Sequence, residues 1–279
     1  MLSVVRALSS SSSDSSNAAA AAFSALVNGR VSARSFLPDQ PPIPSSTLRG
    51  ILQDTLRSPS SFNLQPFQVV LVTSPSSKAS LSEHAMLGGN KSRVKDSQLT
   101  AVFLKDLKPS KRLPRVLEVE DTSRARHDDY LAVLPLASAY FSGEQAASSS
   151  SSSSDDPSSS LKSLALGLLS THLKSVPSSP QLHCWTSKNV GLAAMTFVYA
   201  CESRGYSTCV MEGYDGRRVL KCLDVDDEAG RWDVPLCVAV GTAREIDKKE
   251  QMEGGNKRTG RLEVGEVFFM DKFGKSFEE

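Results

Sequence analysis

Residues 29–36 (GRVSARSF) place two arginines and a hydroxyl at alternate positions, Arg30, Ser32 and Arg34. A guanidinium fork matches the oxygens of a phosphate, and a serine hydroxyl can donate to the same group. At a period of two, the three side chains could converge on one anion. The alternative interpretation of this segment is a solvated basic turn.

Residues 58–67 (SPSSFNLQPF) form a second candidate segment, in which Pro59 and Pro66 fix the backbone at both ends. The hydrogen-bonding side chains between the prolines are Ser60, Ser61, Asn63 and Gln65. A flat heteroaromatic ring with carbonyl and imide edges is recognised by such groups. The alternative is an ordinary loop from a helix to a strand, held by local side-chain hydrogen bonds.

Two further segments are candidates for ligand contact. Asn90 and Arg93 stand just before an apolar run that predicts a buried strand, and exposed polar side chains are the alternative interpretation. Gly213, in residues 210–215 (VMEGYD), has no Cβ, so the backbone there could approach a ligand closely. The alternative for this segment is a tight turn between two helices.

Apolar spacing indicates the elements that would position these groups. Leu48, Ile51, Leu52 and Leu56 predict a helix over residues 44–56 that ends before Pro59. Short apolar runs predict strands at 68–73, 100–104, 234–240 and 266–270, with a helix starting within 77–83. Strands that alternate with helices indicate an α/β or α+β sheet flanked by helices.

Residues 189–204 are apolar almost all round and end before Gly205, which predicts a helix with a C-terminal glycine cap. A helix of this kind must be buried on every side. In a domain this small, we interpret it as a central helix shared with a second subunit.

Composition excludes several classes of protein. The 32 Lys and Arg nearly cancel the 31 Asp and Glu, so nucleic acid is not expected as a partner. The five cysteines form no paired Cys-x-x-Cys motifs, which fits a reducing compartment and no zinc site. The longest apolar stretch is shorter than the roughly 20 residues of a membrane span. The four histidines are scattered, so no catalytic His/Asp or Cys/His arrangement is expected.

A single domain is predicted for residues 23–279. One stretch of biased composition precedes it, and a second interrupts it. Residues 1–22 are typical of a transit peptide for the mitochondrion or another organelle, or of a low-complexity tail on a cytoplasmic protein. The serine run in residues 143–160 cannot bury enough apolar area to offset its chain entropy, so it predicts a disordered insertion. Its flanks, 130–141 and 161–173, are apolar enough to pack as strand or helix.

Taken in order, the four candidate segments resemble the nitroreductase family of flavoproteins. The resemblance extends to Trp185 with the helix after it and to the run RLEVGEVFFMDKFG at 261–274. It implies an α+β fold whose central, mostly antiparallel sheet is flanked by helices in an intertwined homodimer. It also implies FMN, held without a covalent bond, at two equivalent sites in the dimer interface.

Carried over by position, the resemblance implies a role for each candidate residue. The FMN phosphate would be held by Arg30, Ser32 and Arg261. The pyrimidine edge of the ring would face Arg34, Asn90 and Arg93. The site would be lined, partly from the partner subunit, by Ser60, Ser61 and Asn63. Flavin N5 and O4 would meet the backbone N–H groups of Glu212 and Gly213.

One departure affects the C-terminal match. The family often has a lysine two residues before the arginine that Arg261 matches, whereas this chain has Thr259 there, with Lys257 and Arg258 nearby. A register shift of one or two residues is therefore open at the phosphate end.

The implied activity is transfer of reducing equivalents from NAD(P)H to small organic acceptors such as nitroaromatics or quinones, by a ping-pong mechanism. FMN would itself accept and release the hydride, so no catalytic side chain and no metal are expected. Arg34 and Arg93 would stabilise negative charge near N1 and O2 of the ring. The alternatives are another flavin chemistry on the same fold, such as reductive dehalogenation, and a non-catalytic flavin-binding protein.

Overall fold

The computed structural model describes residues 12–144, 182–226, 230–244 and 259–275 of the chain. The helices among them are α1 (Ser12–Gly29), α2 (Ser45–Thr55), α3 (Pro75–His84), α4 (Asn90–Asp96), α5 (Leu113–Ser123), α6 (Asp128–Ser142), α7 (Leu182–Glu202), α8 (Gly216–Cys222) and α9 (Val264–Val267). Short 3-10 turns cover Ser61–Asn63 and Pro109–Arg112. The strands are β1 (Phe67–Val72), β2 (Leu99–Asp106), β3 (Ser207–Met211) and β4 (Trp232–Gly241).

The four strands form one antiparallel sheet in the order β1-β2-β4-β3. The predicted α+β class and the antiparallel sheet are therefore confirmed. The predicted strands at 68–73, 100–104 and 234–240 correspond to β1, β2 and β4. The sequence analysis missed β3, because its sequence STCVM is short and half polar. Pairing with β4, which joins Cys209 to Ala239, makes it a strand.

Each face of the sheet carries its own core, as the alternation of β2 requires. Val102 and Leu104 point to one side, where α3, α4 and α8 pack. Ala101 and Phe103 point to the other, against α2 and α7. Every residue of β2 is buried, so this strand is central in both the sheet and the layers.

Helix α7 lies over the sheet, as expected for a central helix. Its sheet-facing residues include Phe197, whose ring packs edge-on against Phe103 with 5.7 Å between centroids. Leu192 and Met195, however, are 48% and 38% exposed. Within one chain the helix is therefore not buried on every side, and an apolar strip is left on its outer face.

Three other sequence predictions have specific outcomes. The last strand predicted at 266–270 is wrong: Glu263 and Glu266 form a reciprocal capping box, which starts the short helix α9. Residues 130–141 lie in helix α6, which Gly143 ends with a φ of 75°. Of the predicted insertion, only Gly143 and Glu144 are described, and 161–173 lie outside the described residues.

Helix α1 begins inside the segment 1–22, which the sequence analysis interprets as a transit peptide or a low-complexity tail. The helix contains a run of five alanines. Alanine has the highest intrinsic helix propensity of all residue types. The helix is largely exposed, and Phe23 contacts Tyr199 of α7 with 6.0 Å between ring centroids. No helix in the described part of the chain has the length and apolar character needed to cross a membrane.

Asp106, the last residue of β2, has a fully buried side chain that binds two arginines. Arg231 donates to both carboxylate oxygens at 2.9 and 2.7 Å, and Arg112 donates to one at 3.1 Å. Burial alone would raise the pKa of Asp106, but the hydrogen bonds from Arg231, the Lys108 N–H and Arg112 hold it below the ordinary aspartate value.

We expect Asp106→Asn to lower the free energy of unfolding by about 3 to 5 kcal/mol at pH 7, since it leaves two arginines facing a neutral amide. A depressed folded pKa gives stability that is present above the unfolded pKa and is lost as the pH falls. The gap between wild type and variant should therefore narrow below about pH 4. Urea denaturation across pH measures it. Asp271→Asn, at the exposed pair with Lys275, is the control and should change little.

Candidate functional site

Three of the four candidate segments meet at the β3 edge of the sheet. Ser32 forms a parallel bridge to Thr208 of β3, and the Ala33 N–H donates to the Thr208 carbonyl at 2.9 Å. The Leu87 N–H, three residues before Asn90, donates to the Gly213 carbonyl at 3.0 Å. This contact joins the segment of Asn90 and Arg93 to the segment of Gly213. We name the seven predicted residues gathered here the β3-edge cluster: Arg30, Ser32, Arg34, Asn90, Arg93, Glu212 and Gly213.

A chain of hydrogen bonds joins the three segments of the cluster. Arg93 Nε donates to the Arg34 carbonyl at 3.1 Å, and Arg93 Nη1 donates to Asn90 Oδ1 at 2.6 Å. Asn90 Nδ2 in turn donates to the Gly213 carbonyl at 3.0 Å. Helix α4 allows these hydrogen bonds because Asn90 and Arg93, three residues apart in its first turn, lie on the same face of the helix.

The cluster contains three arginines that form no ion pair within the described part of the chain. Among the described residues, Arg30, Arg34 and Arg93 form no ion pair with a carboxylate. Arg93 and Arg30 both lie close enough to Cys209 to oppose the effect of burial, which raises the pKa of that thiol. Arg30 donates to the neutral Ser32 hydroxyl, and Arg93 donates to the neutral oxygens of Asn90 and the Arg34 backbone, so both guanidinium groups are oriented without an ion pair.

Glu202, at the end of α7, is a residue of this region that the sequence analysis missed. Its Oε1 accepts from the Thr208 N–H at 3.0 Å and from Thr208 Oγ1 at 2.7 Å. Burial raises the pKa of Glu202, while the Thr208 hydrogen bonds and the charge of Arg30 act in the opposite direction. The carboxylate thus anchors the strand against which Ser32 lies. No sequence signal marks it, because the contact depends on β3.

The backbone N–H groups of Glu212 and Gly213 donate to no acceptor among the described residues. Both lie just beyond the end of β3, where the ladder to β4 has stopped. The segment follows a strand, so the alternative interpretation as a turn between two helices is wrong. Two adjacent free donors beside a cationic cluster are suited to accept a polar, electron-rich ligand edge.

The structure gives a reason for glycine at position 213 that does not depend on a ligand. A Cβ built there would lie 2.8 Å from Asn90 Nδ2, which is closer than real Cβ contacts allow. Its φ is not in the left-handed region, so the backbone angle itself does not demand glycine. Room for Asn90 is therefore sufficient to explain Gly213, whether or not a ligand approaches.

The second segment lies elsewhere. Ser61 N–H donates to Asn189 Oδ1 of α7 at 2.7 Å, and Asn63 Nδ2 donates to Glu120 Oε1 of α5 at 2.7 Å. Ser60 Oγ accepts from the Gln65 N–H within the same loop. This loop leads into β1, the edge strand opposite β3. Three inter-strand spacings, about 14 Å, separate the two edges. One chain therefore does not bring this loop to the β3-edge cluster.

Arg261 is also not joined to the cluster. It is exposed, and its hydrogen bonds go to the Thr259 and Gly260 carbonyls and to Thr259 Oγ1. Residues 245–258, which connect it to β4, lie outside the described residues. No group of His, Cys, Asp and Glu side chains in the described ranges is arranged to hold a metal ion.

We expect Gly213→Ala to lower the free energy of unfolding by about 1 to 3 kcal/mol in the wild-type background, because the added methyl meets Asn90. In an Asn90→Ala background the same change should cost almost nothing. Urea denaturation of the two single variants and the double variant gives the coupling free energy. Equal costs in both backgrounds would contradict the steric explanation.

The model of the nitroreductase family matches residues 27–151 and 171–242 of this chain. Two curated relatives are similar to it. A protein named NADH dehydrogenase, from Thermus thermophilus, is 37% identical over 78 residues, which are 28% of this chain and 36% of that protein. MhqN of Bacillus subtilis, whose name describes an NAD(P)H nitroreductase, is 24% identical over 249 residues, covering 88% of this chain and 97% of that protein.

Solved structures agree on the fold. The nitroreductase-type protein ydfN of Bacillus subtilis is 21% identical with a TM-score of 0.64, over 90% of this chain and 99% of its own. A nitroreductase-type protein of Exiguobacterium sibiricum, solved in complex with FMN, is 18% identical with a TM-score of 0.59, over 89% and 96%. Because the sheet, the helices and a family model that matches more than half of the sequence agree, this chain belongs to the nitroreductase family of oxidoreductases.

Proposed function

We propose that the protein is an FMN-dependent oxidoreductase that acts as a homodimer. It would pass reducing equivalents from NAD(P)H to small organic acceptors such as nitroaromatics or quinones, by a ping-pong mechanism. The observation that carries the proposal is the β3-edge cluster, in which three arginines pair with no carboxylate of the described residues, and the N–H groups of Glu212 and Gly213 donate to none of their acceptors. The names of MhqN and of the FMN-bound relative support the donor and the cofactor.

The residues present fit FMN at both of its polar ends. Arg30 Nη1 donates to Ser32 Oγ at 3.3 Å, so a guanidinium and a hydroxyl stand together where a phosphate would be held. The Arg93 side chain donates to the Arg34 backbone carbonyl and is linked through Asn90 to the Gly213 carbonyl. This second group suits the pyrimidine edge of the ring, which needs both donors and positive charge.

When bound, FMN would supply the chemistry of accepting and releasing hydride. Arg34 and Arg93 would stabilise negative charge near N1 and O2 of the ring, and the Glu212 and Gly213 N–H groups would donate to N5 and O4. Asn90 would keep these two sets of donors in register, since one side-chain amide bonds to both Arg93 and the Gly213 carbonyl. No side chain of this chain needs to act as acid or base.

Two observations support a homodimer. Ser60, Ser61 and Asn63 lie at the β1 edge, so they can line a site at the β3 edge only if they come from a second subunit. The outer face of α7 exposes Leu192 and Met195, which a second copy would cover. Two chains related by a two-fold axis would thus complete two equivalent sites.

The proposal is tested by titrating the purified full chain with FMN and with riboflavin, which lacks the phosphate. Wild type should bind FMN, and NAD(P)H should bleach the bound flavin rapidly. Arg30→Ala should weaken FMN binding about tenfold or more, since it removes charge-assisted hydrogen bonds, and leave riboflavin binding unchanged. The loss should shrink as salt rises.

Arg49→Ala, at an exposed arginine of α2, is the matched control and should leave both affinities unchanged. An equal loss of FMN and riboflavin in Arg30→Ala would contradict the phosphate contact. Flavin that binds and is not bleached by NAD(P)H would favour a non-catalytic flavin-binding protein. Turnover of halogenated substrates, with none of nitroaromatics or quinones, would favour reductive dehalogenation.

We expect Met195→Asp to convert the dimer to a monomer and to abolish flavin retention, because an unpaired charge in a buried interface costs several kcal/mol. Sedimentation measures the mass, and absorbance measures the flavin. Val119→Asp introduces the same charge at a similarly exposed valine of α5, at 42%, and should remain dimeric. A wild-type chain that sediments as a flavin-loaded monomer would exclude the shared site.

A further inference from the structure

The loop from Ser60 to Gln65 holds its backbone in an unusual conformation. Phe62, Asn63 and Gln65 have φ values of 56°, 54° and 45°, in the left-handed region that side chains other than glycine seldom adopt. Such residues cost on the order of 1 to 3 kcal/mol each and persist only where the surroundings enforce them. What enforces this conformation is therefore informative about the function of the loop.

Side chains from two distant helices hold the loop. Asn189 of α7 accepts the Ser61 N–H at 2.7 Å, and Glu120 of α5 accepts Asn63 Nδ2 at 2.7 Å. Inside the loop, Gln65 Nε2 donates to the Asn63 carbonyl at 3.1 Å. Of these two helix contacts, the one from Glu120 binds a side chain that is predicted to line the site, whereas the one from Asn189 binds a backbone N–H.

Glu120 is almost fully buried, with 4% of its surface exposed, and its helical neighbours on the buried face are Leu113 and Val116. Its second oxygen lies 3.4 Å from Arg126 Nε, and the Arg126 guanidinium stacks on Tyr130 at 4.6 Å. An apolar side chain would fill this position without the desolvation cost of a carboxylate. What the carboxylate adds is a strong acceptor aimed at Asn63.

A carboxylate accepts hydrogen bonds and donates none, so only the Nδ2 side of the Asn63 amide can face it. The orientation of that amide is thereby fixed, with Oδ1 turned away from Glu120. Oδ1 receives a long contact of 3.3 Å from Gln65 Nε2, which leaves it with a lone pair for another donor.

We propose that Glu120 is a positioning residue of the cofactor site. It fixes the Asn63 amide so that the loop presents Oδ1 as an acceptor to an N–H or O–H donor of the flavin bound by the partner subunit. This inference rests on the proposed function, in which Ser60, Ser61 and Asn63 line that site.

The first arm of the test measures hydrogen exchange in the full chain without flavin. Glu120→Gln keeps the size of the side chain but can present either its oxygen or its NH₂ group to Asn63. The amides of residues 61–65 should then exchange at least about tenfold faster, while those of β2 stay unchanged. Glu118→Gln, at an exposed glutamate of the same helix paired with Arg115, should leave both sets unchanged.

The second arm measures FMN affinity in Glu120→Gln, Asn63→Ala and the double variant. Each single variant should weaken binding about tenfold, and the double variant should be no weaker than Asn63→Ala alone. Destabilisation by an unrelated route would instead add to the effect of Asn63→Ala. Midpoints of thermal unfolding for all variants identify any general loss of stability.

The outcomes separate this inference from the proposed function. A wild-type chain that binds no FMN overturns the proposed function and the site role together, and the exchange rates alone then decide whether Glu120 fixes the loop. Faster exchange with unchanged FMN affinity leaves Glu120 a structural residue of the loop and overturns its role at the site. Unchanged exchange overturns the fixation itself.

Discussion

The order of the four strands is the constraint on which the candidate site depends. Since β2 and β4 occupy the centre of the sheet, β1 and β3 are opposite edges, and each carries part of the predicted site. The Ser32 bridge to Thr208 fixes one part at β3, and the contact of Ser61 with Asn189 fixes the other near β1. The hydrogen bonds within one chain do not join the two parts. The proposed homodimer would join them.

Much of the fold could be predicted because its elements are marked by local apolar patterns. The β-branched runs of β1, β2 and β4 and the long apolar stretch of α7 are such patterns. The two elements that were predicted wrongly either lack a local apolar pattern or have a misleading one. Strand β3 has a half-polar sequence and exists through its pairing with β4. At the C-terminal run EVFFM, Glu266 forms a capping box with Glu263, which favours a helical turn over the strand that the aromatic residues suggest.

The candidate residues could be named from the sequence, but their working relations could not. Arg34, Asn90 and Gly213 are joined by contacts between residues that are 59 to 123 positions apart. No local pattern encodes these contacts. The reason for Gly213 shows the difference, because the sequence indicates only that a close approach is allowed there. The structure identifies the approaching group as Asn90. Glu120 and Glu202 were missed for the same reason, since each acts through a partner in another element.

The arginines at Asp106 and the arginines of the β3-edge cluster differ in the groups that accept their hydrogen bonds. This difference distinguishes arginines that stabilise the fold from arginines that are suited to bind a ligand. Arg112 and Arg231 both pair with the buried carboxylate of Asp106, so each faces an anion that the fold supplies. Arg93 instead donates to the Asn90 amide and to the Arg34 carbonyl, both of which are neutral. Neutral acceptors orient a guanidinium without cancelling its field. An arginine held in this way is pre-organised for an anion other than the carboxylates of the described residues, which is the condition that a site for an anionic cofactor must meet.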